Sequence, residues 1–335
     1  MKSRFRKLRR SAGAAAADGF FRGASRLGRL HPQAEPAKHG IEVERNVPYG
    51  DASHPVRVLD VYRPQASAEL RPAVLYVHGG GFRILSKDTH WIMALAYARR
   101  GYVVFNVDYR LAPTHRFPAA VEDVCAAYAW VVANAARFGA DSGQLVLAGE
   151  SAGANLVASL TIAACYARPE PHARAVFDTG IVPVAVLPAC GMHQVTDARR
   201  FTRRKRGLSR FIADRLEEVA EAYLGAGRGR AHVEGEHDLA DPVVFFERGL
   251  PPARPLPPFF LPVGTADPIL DDTRRLARAL RTLGVDVDER YYDGEIHAFH
   301  AFVFRAKARL HWADTYAFLD RVLAPLASRP LPSRA

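Results

Sequence analysis

Gln144-Leu145-Val146-Leu147-Ala148-Gly149-Glu150-Ser151-Ala152-Gly153 is the stretch whose reading decides the fold. Gln144 to Ala148 is short and apolar, as in a buried strand, and Ala154 to Ala167 has the composition and apolar spacing of a helix. Between them Gly149-Glu150-Ser151-Ala152-Gly153 has the G-x-S-x-G pattern of a sharp turn that projects a serine hydroxyl. The backbone at such a serine is strained, and a side chain two residues to either side would strike the neighbouring strand or helix, which accounts for both glycines. Taken alone, the pentapeptide reads equally as a Gly/Ser loop, so the rest of the chain must decide.

Upstream, Ala73 to Val77 is continuous and apolar and ends at His78-Gly79-Gly80-Gly81-Phe82. Consecutive glycines let backbone N–H groups converge on one point, as the stabilisation of an oxyanion requires. A phosphate cradle would want Lys-Ser/Thr after the glycines, and Phe82-Arg83-Ile84 does not supply it. Around these pieces strands and helices alternate. Edge strands are expected within residues 41–62, a helix over 91–100, a strand over 102–107 and a helix from Phe117-Pro118-Ala119-Ala120 to about Phe138. Further strands are expected at 181–187, 259–263 and 285–292, with helices over 209–224, 268–283 and 302–323. The pattern is α/β: a mainly parallel central sheet flanked by helices, with antiparallel strands at one edge.

Asp267 falls just past the strand at 259–263, and Pro268 beside it equally suits a helix cap. His297 falls just past the strand at 285–292. The order Ser151, Asp267, His297, each beyond the carboxyl end of a sheet strand, is that of an acyl-transfer triad. Asp271 is the competing acid and His300 the fallback base.

With Asp108-Tyr109-Arg110-Leu111-Ala112-Pro113 added, these motifs resemble the hormone-sensitive lipase family of α/β-hydrolases from about residue 41 to 325. The resemblance implies an α/β-hydrolase fold with a helical cap, Ser151 as nucleophile, His297 as general base and Asp267 as its orienting acid. It also implies an oxyanion hole from the N–H groups of Gly80, Gly81 and Ala152. His78, Gly79, Phe82 and Glu150 are expected to shape or support the pocket. Departures are Glu150 where the family usually has Asp, Ala154 where it usually has Gly, and His297-Ala298-Phe299 where His-Gly-Phe is common. The expected organisation is a basic arm (1–40, part of the cap), a catalytic core (41–190 and 231–328) and a cap insertion (191–230). The Arg-rich part of that insertion reads as a solvated face.

Whole-chain quantities agree with a soluble enzyme. The 335 residues are 49% hydrophobic and 24% charged. Of the formal net charge of +11, residues 1–30 carry +8, from nine Lys/Arg against Asp18. The body is close to balanced, which speaks against nucleic acid as a partner. Phe5, Leu8, Ala12, Ala15, Gly19 and Phe20 recur at helical spacing, so the arm reads first as a solvated arm or a helix packed on the body, with weak contact with a membrane surface or cover for the site as the alternatives. No apolar run spans a bilayer and no secretory signal is apparent. The three cysteines lack metal or disulfide spacing and read as buried thiols, so a cytoplasmic location is expected, peripheral to a membrane at most.

The expected reaction is hydrolysis of a small carboxylic ester, of short to medium acyl chain, through an acyl-enzyme, with no metal or organic cofactor. An amidase or a deacetylase of acylated metabolites on the same fold is the alternative, and a non-catalytic ligand receptor the distant one. The oligomeric state is left open, a homodimer included.

Overall fold

A computed structural model describes residues 13, 16, 18–50, 54–65, 69–204, 208–225 and 231–327. The start of the arm (including Phe5, Leu8 and Ala12), Lys205 and Arg206 of the Arg-rich run, and the tail after Ser328 lie outside the described residues. Among the described residues eight strands form one sheet: β1 (Ile41–Pro48), β2 (Val58–Pro64), β3 (Arg71–Val77), β4 (Val103–Val107), β5 (Ala140–Glu150), β6 (Ala185–Ala189), β7 (Phe259–Gly264) and β8 (Val287–Tyr292). Their order is β1-β2-β4-β3-β5-β6-β7-β8. β2 runs antiparallel to both β1 and β4, and the pairings from β4 onward are parallel, as the sequence pattern implies.

Alternation along the strands divides the apolar side chains between two faces. Ala73, Leu75 and Val77 of β3 join the core beneath α2 (Ala119–Asn134), α3 (Ala152–Cys165) and α4 (Pro171–Asp178), whereas Val74 and Tyr76 join the core beneath α1 (Trp91–Arg99). α8 (Leu270–Thr282) lies with the first group, and α9 (Ala306–Ala327), through Trp312, Phe318 and Leu319, with the second. The sheet is therefore a middle layer between two sets of helices.

The strand order places the site. After β3 the chain moves to β4 on one side, then crosses to β5 on the other side of β3. At such a switch point the connections leave in opposite directions and open a crevice at the carboxyl ends. Val77 pairs with Gly149, so the glycine loop and the serine turn begin side by side.

Several boundaries differ from the sequence expectations. β6 starts at Ala185 rather than 181, because Pro183 has no N–H to give a ladder. α8 begins at Leu270 with Ile269 as its cap, so Pro268 is not its first residue and Asp267 is not its cap. The last helix starts at Ala306, preceded by a short 3-10 turn at Phe299–Ala301. α4, α5 (Arg200–Arg204) and α7 (Pro242–Glu247) are additional to the expected helices, whereas α6 (Arg210–Leu224) lies where one is expected, with Ser209 capping it by accepting the Ile212 N–H.

The Arg-rich segment is not wholly a solvated face. Arg200 is buried, donating to Asp272 at 2.5 Å and to the Thr196 carbonyl, with its guanidinium against the Phe201 ring. Arg199 and Arg203 are exposed and pair with Glu217 and Asp197.

Candidate active site

Ser151 caps α3 directly after β5 with φ of 54° and ψ of −113°. A non-glycine residue in this region is strained, by about 1–3 kcal/mol, and is held there by its surroundings. Its N–H donates to the Ala189 carbonyl at the end of β6, at 3.0 Å. A Cβ on Gly153 would stand 2.0 Å from the Val77 carbonyl oxygen, and one on Gly149 would stand 2.7 Å from the Gly153 backbone. The two glycines thus let strand and helix approach as the motif requires.

β7 and β8 are adjacent, and the loops that follow them are tied together. Ala266 N–H donates to the Glu295 carbonyl at 3.0 Å, an approach open only because Gly264 has no side chain: its Cβ would meet that same oxygen at 2.1 Å. Asp267 is buried and divides its carboxylate. Oδ1 accepts the Ile269 N–H at 2.9 Å, and Oδ2 lies 2.8 Å from His297 Nδ1. A carboxylate can only accept, so Nδ1 is the protonated nitrogen, and in the neutral ring Nε2 is left to accept. Nε2 lies 2.9 Å from Ser151 Oγ. The chain of contacts runs Asp267, His297, Ser151, and it can move a proton from the hydroxyl to the imidazole.

Burial opposes charge on His297, but the Asp267 carboxylate and the Cys190 thiol beside it hold its pKa well above 6.5. The side chain is nonetheless about a third exposed, at 34%, so solvent damps this effect. Cys190 is buried in a left-handed conformation, and burial raises its thiol pKa. Cys190, Asp267 and His297 bring potential metal ligands within 4.8 Å of one another. The hydrogen bond between Asp267 and His297 already engages two of the three.

The glycine loop faces the serine across the cavity floor. Gly80 and Gly81 have φ of 111° and 58°, and a Cβ on Gly80 would meet the Ile84 carbonyl oxygen at 2.1 Å. Gly80, Gly81, Phe82, Glu150, Ser151, Ala152 and His297 all line one cavity of about 1000 Å³. Its walls are chiefly apolar and include Phe20, Phe21, Ala24 and Gly28 from the arm and Phe211, Leu216 and Val219 from α6. The arm is fastened there: Asp18 accepts the Leu85 N–H, Trp91 donates to Ser25, and Arg29 donates to the Asp88 carbonyl. Phe82 stacks on Tyr223 with ring centres 3.8 Å apart.

His78 and Gly79 lie behind this surface. His78 is buried and stacked on Tyr109, and its Nδ1 donates to the Gly79 carbonyl. Burial, and next the neighbouring His90, lower its pKa to about 3, so it stays neutral and holds the loop in shape. Asp108 nearby is raised to about 6, chiefly by burial.

Glu150 is clamped. His90 Nε2 meets Oε1 at 2.9 Å and His300 Nε2 meets Oε2 at 2.6 Å. Burial opposes its charge, yet the two imidazoles hold the carboxyl well below its usual range. His300 is thereby committed to Glu150 rather than to Ser151, and Asp271 is half-buried and paired with Arg274. Neither occupies the place the sequence left open for it. His90 and Cys190 carried no sequence signal: one starts a helix and the other follows a strand, with no motif around either.

Comparison with known proteins agrees with this fold. Residues 74–301 match the family described as alpha/beta hydrolase fold. The chain is 33% identical to carboxylesterase NlhH of Mycobacterium tuberculosis over 294 residues, covering 86% of this chain and 84% of that one. It is 30% identical to the acetyl esterase of Salmonella paratyphi B, covering 75% and 70%. Among solved structures, a Pyrobaculum calidifontis esterase superposes with a TM-score of 0.69 at 26% identity, over 92% of both chains. A bacterial heroin esterase, at 22% identity, shares the fold with a TM-score of 0.74 over 93% of this chain and 92% of that one. The chain belongs to the α/β-hydrolase-fold family, in its hormone-sensitive-lipase-like branch, and is a hydrolase of the carboxylesterase type.

Proposed function

We propose that this carboxylesterase cleaves small carboxylic esters of short to medium acyl chain with Ser151 as nucleophile, His297 as general base and acid, and Asp267 as the group that fixes the His297 tautomer. The observation that carries the reading is His297 held between the Asp267 carboxylate and the Ser151 hydroxyl, at 2.8 and 2.9 Å. Ser151 attacks the ester carbonyl as His297 takes its proton, and His297 then returns that proton to the leaving alkoxide. Water, deprotonated by the same imidazole, releases the acid from the acyl-enzyme. The N–H groups of Gly80, Gly81 and Ala152 receive the negative oxygen. The positive φ values of both glycines and the position of Ala152 at the start of α3 support that role.

In this reading residues 1–40 and 191–230 cap a core of 41–190 and 231–328, and the cavity walls from the arm and α6 select the substrate. Apolar walls favour esters of apolar acids and alcohols over deacetylation of polar metabolites or amide cleavage. A p-nitrophenyl ester panel from acetate to dodecanoate, run on the wild type and Ser151→Ala, tests it. A maximum at short to medium chains, abolished in the variant, is expected. Full turnover by Ser151→Ala removes the nucleophile assignment, and a panel flat or rising to the longest chain removes the chain-length reading.

A further inference from the structure

We propose that the mouth of the cavity docks on an anionic lipid–water interface, with an apolar rim entering the surface and the basic arm meeting its charge. Phe20 of the arm, Phe211 of α6 and Phe304 after the last 3-10 turn come from three separate segments, line the same cavity and are 64%, 63% and 75% exposed. Leu27 and Leu30, farther along the arm that carries Phe20, are 70% and 79% exposed and do not line the cavity. Large apolar side chains gathered at one opening mark an interaction surface, unlike isolated ones.

The arm adds direction. Residues 18–28 are helical, and Phe20, Ala24 and Leu27 recur at i, i+4 and i+7, so they share one stripe. Arg22, Arg26 and Arg29 recur at the same spacing on the opposite face, where Asp18 holds Arg22 and the Asp88 carbonyl holds Arg29, and residues 1–30 as a whole carry +8. An exposed apolar stripe on a segment of such positive charge is the pattern of a helix lying in an anionic interface. A protein seated on the rim would close the entrance to Ser151, whereas a lipid surface leaves acyl chains free to enter.

Co-sedimentation of the full-length Ser151→Ala chain with vesicles tests this without depending on catalysis. Binding to phosphatidylglycerol vesicles is expected, weaker to pure phosphatidylcholine, and falling as salt rises. L27E/L30E in that background is expected to weaken binding about tenfold or more. The same pair of changes with Ser151 restored should leave p-nitrophenyl acetate turnover unchanged. Absence of vesicle binding, or equal binding by L27E/L30E, overturns the proposal. A wild-type dimer in light scattering that L27E/L30E dissolves also overturns it, by assigning the face to a second copy.

Discussion

His297 and His300, three residues apart, hydrogen-bond to consecutive residues of one turn: His297 Nε2 to Ser151 Oγ at 2.9 Å, and His300 Nε2 to Glu150 Oε2 at 2.6 Å. A left-handed Ala298, with φ of 54°, starts the tight turn that separates the two rings. One imidazole faces the cavity and the other is buried against a carboxylate that His90 also holds. In the proposed mechanism, chemistry and rigidity at Ser151 are thus divided between two histidines of one short segment.

That division predicts different catalytic phenotypes. His297→Ala should lower kcat by about 10⁴-fold or more and also cost about 1–3 kcal/mol of stability, because the buried Asp267 loses a donor. His300→Ala should retain measurable turnover but lose about 1–3 kcal/mol of stability, because the buried Glu150 carboxylate loses a donor. Ester kinetics with thermal unfolding of both variants decides. Equal loss of activity from both would assign His300 to the chemistry.

The raised pKa of His297 fixes the sign of the pH dependence. An imidazole held above 6.5 remains protonated, and useless as a base, until the pH passes its folded value. The acid limb of kcat/KM should therefore lie above pH 6.5, and activity should climb with pH through it. The stability from this interaction is complete below 6.5 and is lost as pH rises through the folded value. Asp267→Asn removes the carboxylate, shifts the limb downward and lowers kcat by about 10⁴-fold. A limb at or below 6.5 in the wild type would contradict the arrangement.

How much of this was legible follows from where each constraint acts. Gly149, Ser151 and Gly153 satisfy a local demand, a strained turn between a strand and a helix, and local demands leave motifs. Asp267 and His297 were legible by their order and by following strands. The partners of Glu150 were not, since His90 lies 60 residues away and only the parallel crossover brings it back. Arg200 sits in a run whose neighbours Arg199 and Arg203 are exposed, and nothing local separates a buried arginine from a solvated one.

The two motif glycines should tolerate no side chain. A Cβ at Gly153 would lie 2.0 Å from the Val77 oxygen and 2.7 Å from the His78 oxygen, both backbone atoms that cannot rotate away. Gly153→Ala is expected to destabilise by about 4 kcal/mol or more and to yield little folded protein. Gly23→Ala, in the arm helix with nothing within 4 Å, should instead be neutral or gain about 0.5–1 kcal/mol. Soluble yield and urea unfolding compare them. A stable, active Gly153→Ala enzyme would mean that β3 and α3 are not packed as described.

Arg200 and Asp272 tie the segment before α6 to α8 through a buried ion pair, 5% and 0% exposed, at 2.5 Å. Asp272 Oδ2 also accepts the Gln194 N–H. Removing the guanidinium leaves the buried carboxylate only the more distant Arg275, at 3.8 Å, so Arg200→Ala should cost about 3 kcal/mol. The adjacent Asp271 pairs with Arg274 at 3.8 Å, both nearly half exposed, and Asp271→Asn should change stability by about 1 kcal/mol at most. Urea unfolding of the two variants separates the readings: a loss confined to Arg200→Ala identifies it as an internal strut, and equal small effects would return the Arg-rich segment to a solvated face.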